Sequence, residues 1–207
     1  MDDKYDKKKL EELIDGLKRI AYIKPQEIPN IELYMDQVTT FMDQHLEDTK
    51  RFSEDKILTK TMINNYTKNN LLPSPQKKKY SKDHMYLLIF IYYLKNILSI
   101  TDIHSLLSPL TELCFGGKGE MGLEEIYEEI YRIEHDQSYS VAKDIARKAA
   151  AAEKTFPQVE NEKEREYLRG FAYACMLSYD IYVKRQMLEK LIDHNFASKP
   201  EKETKEK

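Results

Sequence analysis

Apolar positions recur along most of this chain at intervals of three and four, the period of a helix with one covered face. Leu10, Leu13, Ile14, Leu17 and Ile20 predict an amphipathic helix near residues 6–22, broken by Pro25 and Pro29. Asn30 is placed to cap a second helix, whose stripe is Ile31, Tyr34, Met35, Val38, Phe41, Met42 and Leu46. A polar stretch over 47–57 ends it. Thr59 then caps a short third helix on which Met62, Ile63 and Tyr66 fall on one side. Asn70 follows its last turn, where a left-handed residue is expected, and Pro73 and Pro75 stop the helix. The "QKKKY" run predicts a short hairpin or wing.

Ser81 opens the next helix, which is apolar around its whole circumference over 85–94 and is therefore a central core element. Ser99, with Asp102 closing a capping box, starts the short helix "ITDIHSLL". Residues 114–122, "CFGGKGEMG", hold four of the six glycines and predict a flexible joint. Helical stretches follow near 123–136 and 140–154. A long helix begins at the Asn161/Glu164 cap pair and runs to about Phe196, with an apolar stripe longer than a small core can cover. Either it bends, or a second chain covers part of it. The tail "SKPEKETKEK" reads as disordered.

Charge sharpens this picture. The net charge of −3 hides an asymmetry, because residues 51–100 carry nine Lys/Arg against three Asp/Glu, and the remainder carries 24 against 33. A basic segment in an acidic chain points to a polyanion or acidic partner. Charged residues at 33% and few glycines and prolines favour helices over a β-rich fold. Cys114 and Cys175 belong to no metal-binding pattern and read as reduced thiols. The N-terminus lacks the apolar run of a signal peptide, and "MYLLIFIYYL" is too short to span a bilayer. A soluble cytoplasmic protein is expected.

Catalytic, cofactor and metal sites are not expected. The five histidines are scattered, no HExxH, GxSxG or phosphate-loop pattern occurs, and Glu124, Glu125, Glu128 and Glu129 suit a solvated helix face. DNA binding explains the basic segment better. On the helix after Thr59, Lys60, Thr61, Asn64 and Lys68 share the side opposite the apolar one, with Asn65 flanking. Asn can pair with adenine in the major groove, so Thr61, Asn64 and Asn65 are the candidate base contacts. Lys60, Lys68, Lys77, Lys78 and Lys79 are the candidate phosphate contacts.

The stretch "TMINNYTKNNLLPSPQKKKYSKDHMYLLIFIYYLKNILSITDIHSLL" resembles the winged helix-turn-helix of MerR-type regulators. Met62, Ile63, Tyr66, Leu71, Leu72, Pro73, Lys78, Tyr80 and Ser99 occupy the corresponding places. Asn64 stands where that family usually has Arg, Asn70 where it has Gly, and Lys78 where it has the wing Arg. More closely, residues from about 28 to 110 resemble a YkrK-like family of Firmicutes proteins of unknown function.

The MerR resemblance implies a winged helix-turn-helix with a small β wing, and helical periodicity adds a C-terminal helical domain that resembles no effector domain, so an all-α protein is expected. Taken together, periodicity, composition and resemblance divide the chain into an N-terminal helix at 1–27, the DNA-binding domain at 28–112, a Gly-rich joint at 113–122, a dimerisation or sensor domain at 123–196, and a tail at 197–207. The implied function is a DNA-binding transcriptional regulator, not an enzyme, working on duplex DNA as a homodimer joined through the long helix. An unknown small-molecule effector is a further possible partner. Two alternatives stand beside it. One is a protein-interaction module that keeps the fold without binding DNA. The other is a sensor whose ligand sits among Tyr127, Tyr131, Tyr173, Tyr179 and Tyr182.

Overall fold

In the computed structural model, residues 12, 14–17 and 22–196 are described. The predicted N-terminal helix and the charged tail fall mostly or wholly outside them; residues 12 and 14–17 are helical. The chain is mostly helical, with one small sheet. Its elements are β1 (Leu33–Tyr34), α1 (Met35–His45), α2 (Lys60–Lys68), β2 (Lys79–Tyr80), α3 (Lys82–Leu94), α4 (Ile100–Cys114), α5 (Leu123–Ala152) and α6 (Glu162–Asn195). Short 3-10 turns occupy Pro25–Glu27 and Glu47–Thr49.

α3 forms the centre. Every residue from His84 to Tyr92 is buried, as the unbroken apolar run predicted. α1, α2, α4 and the small sheet surround it and supply Val38, Met42, Ile63, Tyr80, Ile103 and Leu107 to one contiguous core, joined by Leu72 from the loop after α2. An aromatic cluster ties this core to the start of α5. Tyr127 lies 4.9 Å from Tyr86 and 5.5 Å from Phe90, and its hydroxyl donates to the Ile23 carbonyl.

Three expectations need correction. The helix placed from Ile31 starts instead at Met35, and Leu33–Tyr34 form a strand paired antiparallel with Lys79–Tyr80. The cap is not Asn30: the Gln37 side chain accepts the Tyr34 N–H at 2.8 Å. Pairing with a strand 46 residues downstream outweighs local helix periodicity, and it turns Tyr34 outward while Leu33 enters the core. The helix opened by Ser99 does not stop near Leu107 but runs through Pro109 to Cys114. Pro109 leaves the Ser105 carbonyl without its helical donor, yet Ile103, Leu107, Leu110 and Cys114 keep one face on the core on both sides of it. Finally, the two stretches at 123–136 and 140–154 are one continuous helix of 30 residues.

α5 and α6 pack against each other as an antiparallel pair. Only the first turns of α5 (Leu123, Ile126, Tyr127, Ile130) and the last turns of α6 (Leu188, Ile192, Phe196) join the core. Beyond them the pair forms an arm. It is held by buried Ala142 and Ala152, by Lys148 bridging Asp144 and Asp180, and by Arg169 reaching the Thr155 carbonyl. Between α4 and α5, Gly116 and Gly117 adopt successive left-handed conformations, φ 73° and 72°. Such a turn favours glycine. The Asp83 carboxylate accepts the Gly116 N–H at 2.7 Å and anchors that turn to α3.

Candidate nucleic-acid interface

The nine residues of α2 are fixed at both ends. Thr59 caps the N-terminus, its hydroxyl accepting the Met62 N–H at 3.2 Å. At the other end Asn70 is left-handed, with φ 56°. The Asn70 N–H reaches the Thr67 carbonyl at 3.2 Å, and the Leu71 N–H reaches the Tyr66 carbonyl at 2.9 Å. This paired closure satisfies two terminal carbonyls and seats Leu71 beside Tyr66 in the core. Ile63 and Tyr66 are buried, and Met62 packs against them. Lys60, Thr61, Asn64, Asn65 and Lys68 are all exposed, on the outward side where periodicity placed them.

Tyr80 is buried and Lys79 half-buried, so β2 anchors the candidate wing, the hairpin that precedes it, to the core. The turn lies at Lys77–Lys78, between Gln76 and Lys79, whose N–H reaches the Gln76 carbonyl at 2.8 Å. Both lysines are left-handed, with φ 48° and 65°. That is the shape of a tight hairpin turn that favours Asn-Gly. A side chain with a Cβ costs about 1 kcal/mol or more there. Two exposed ammonium groups therefore stand at a strained tip.

The five candidate phosphate contacts are not equivalent. Among the described residues Lys68, Lys77 and Lys78 have no carboxylate within ion-pair distance. Lys60 pairs with Asp36 in the first turn of α1, with both side chains well exposed at 61% and 75%. Lys79 lies 3.5 Å from Glu32 and 5.8 Å from the centre of the Tyr34 ring. Exposed pairs of this kind contribute at most about 1 kcal/mol, so a phosphate can displace the carboxylate.

These contacts also reveal residues that periodicity missed. Segment 32–36 links the two basic elements, touching the wing through Glu32 and Tyr34 and α2 through Asp36. Four residues span at most ~14 Å of chain, so the start of α2 and the wing strand flank one short segment. No local signal marked these residues, because the apolar residues keep helical spacing from Ile31 through Phe41.

His84 sits behind the wing. Its Nδ1 accepts the Ser81 N–H at 3.0 Å, and its ring lies 5.4 Å from Tyr80 and 4.9 Å from Phe115. Burial holds the imidazole below its ordinary pKa, against a smaller opposing pull from the Pro73 and Ser74 backbone.

The tyrosines considered as a ligand cage do not converge. Tyr127 is enclosed in the core, whereas Tyr179 and Tyr182 are exposed on α6. Among the described residues no three His, Cys, Asp or Glu side chains gather so as to hold a metal ion. None of the described helices is long and apolar enough to cross a membrane.

Residues 23–130, just over half of the chain, match the model of a family described as a domain of unknown function (DUF1836). No curated protein and no solved structure matches the chain.

Proposed function

We propose that this chain, which belongs to the DUF1836 family, is a DNA-binding regulator of MerR-like type. In this proposal β1, α1, α2 and the Lys77–Lys78 hairpin act as a winged helix-turn-helix. One observation carries the proposal. A helix locked from behind by Ile63 and Tyr66, and capped at both ends, turns only short polar and basic side chains outward. Thr61, Asn64 and Asn65 are short enough to meet base edges. Lys68, Lys77 and Lys78 neutralise phosphates, joined by Lys60 and Lys79 once their carboxylates are displaced. The connection between α1 and α2, residues 46–59, is longer than a standard turn. Part of it is held at the end of α3, where the Lys95 ammonium donates to the Ile57 carbonyl at 2.6 Å.

The same proposal assigns the arm to a second copy. On α6, Tyr167, Phe171, Ala174, Ser178, Ile181 and Arg185 follow one another at intervals of four and three, and all are exposed. That is the spacing of a coiled-coil seam. Tyr167 at 72%, Phe171 at 57% and Ile181 at 66% exposure lie on the side turned away from α5.

The test is retention of the full chain on duplex DNA at two salt concentrations. Lys77→Ala, Lys78→Ala and Lys79→Ala together should weaken binding to every sequence and flatten its salt dependence by a slope of about 3. Asn64→Ala should change preference among sites by about 1–3 kcal/mol while leaving binding to random DNA in place. Unchanged retention of the triple variant removes the proposal. It would leave an interaction module whose face is compensated by its own Glu32 and Asp36.

A further inference from the structure

Behind the loop that leads into α2 lies a cavity of about 300 Å³ whose lining includes Lys50, Asp55, Lys56, Tyr92, Lys95 and Asn96. Three lysines outnumber its single carboxylate, that of Asp55. The Thr49 hydroxyl donates to the Leu46 carbonyl and so accepts from the Tyr92 hydroxyl, which leaves the ammonium groups as the main donors for an occupant. The Asp55 carboxylate is turned to its own loop, one oxygen accepting the N–H groups of Arg51 at 3.2 Å and Phe52 at 3.0 Å. Lys50 turns to Asp43 at 3.4 Å.

Lys56 and Lys95 have no carboxylate within ion-pair distance among the described residues. For Lys56, which is exposed, that is ordinary. For Lys95 it is not. Its side chain is half-buried and its ammonium lies 4.8 Å from the centre of the Tyr92 ring. Burial holds it below the usual lysine pKa. A half-buried cation that makes one carbonyl bond and one ring contact keeps most of its desolvation cost. An anion in the cavity would offset that cost.

The geometry points to this cavity as a binding site for a small oxyanion, a carboxylate or a phosphate group, held by Lys95 and Lys56 with Lys50 at its edge. The Lys95 ammonium that would hold the occupant also donates to Ile57, two residues before the Thr59 cap, so a shift of that ammonium toward the occupant is passed to the entry of α2. Occupancy therefore changes the position of the candidate recognition helix. The binding site stands by itself, whereas an effect on DNA rests on the function proposed above.

The test follows the amide resonances of Lys56, Ile57 and Asn96 in the full chain. Sodium phosphate and sodium succinate are added in separate titrations, with sodium chloride at matched ionic strength as reference. Saturable shifts with one of the two anions are expected, and the anion that saturates identifies the group the site takes. Lys95→Met should weaken that binding at least about tenfold. Lys56→Gln, on an exposed side chain that folding does not need, should weaken it about threefold or more. Linear shifts equal to those with chloride overturn the site, as does saturation that neither variant alters. Saturable shifts in a protein that retains no DNA would overturn the regulator proposal and leave the site standing. Saturation without any change in DNA retention would overturn the coupling alone.

Discussion

α3, of 13 residues, and α6, of 34, both carry many large apolar side chains, yet they use them in opposite ways. From His84 to Tyr92 α3 exposes almost nothing, whereas α6 keeps Tyr167, Phe171, Ile181 and Tyr182 on its outer side and buries only Ile192. α3 is stabilised by its own chain. The arm, held by alanines and side-chain bridges, leaves an apolar surface that a single copy does not cover. Apolar periodicity alone cannot separate the two cases, because it reports that a face is to be covered and not by which molecule.

The largest expected effect tests that contrast directly. Leu88→Ala should lower unfolding stability by about 2–5 kcal/mol, read from the urea midpoint, because it opens a hole in a fully packed centre. Phe171→Glu combined with Ile181→Glu should shift the same midpoint of the isolated copy by less than about 1 kcal/mol. The double variant should also sediment as a single copy at concentrations where the parent protein self-associates. If it unfolds as readily as Leu88→Ala, the arm belongs to the core and the contrast fails.

A smaller effect, of opposite sign, is expected at the wing. Replacing Lys77→Asn and Lys78→Gly fits the left-handed turn and should raise stability by about 1–2 kcal/mol. It removes two ammonium groups from the tip, so retention on DNA should fall as the midpoint rises. A joint rise in both would show that the tip does not meet phosphate.

Acid provides the smallest effect, confined to the central region. The folded protein holds the His84 imidazole below the ordinary value of 6.5, so its neutral form is favoured by folding. That contribution is complete above pH 6.5 and is lost as pH falls from there through the folded value, at no more than about 1.4 kcal/mol per pH unit. His84→Gln should flatten this part of the pH profile, measured as the difference from the parent protein. In hydrogen exchange the added protection loss should appear around Tyr80 and Phe115 and spare α6.

Local chemistry was the most legible part of the fold. The caps at Thr59, Ser99 and Asn161, and the left-handed Asn70, were readable because a cap needs only the next three residues. The outward face of α2 was readable for the same reason, since a nine-residue helix has one register. What stayed hidden depended on distant partners. The Leu33–Tyr34 strand needs Tyr80, and the continuity of α5 needs α6 beside it. Lys95 gave no signal in the sequence; only the folded loop over 46–59 brings Lys56 and Ile57 to it.

The unbroken course of α5 has a mechanical consequence. From Tyr127, fixed among Tyr86, Phe90 and the Ile23 carbonyl, about 25 residues of rigid helix lead to Ala152, a distance of ~38 Å. A tilt of about 5° at that aromatic pivot would displace the far tip by ~3 Å. The arm is a lever: side-chain adjustments too small to notice at its base become translations as large as a hydrogen bond where it ends.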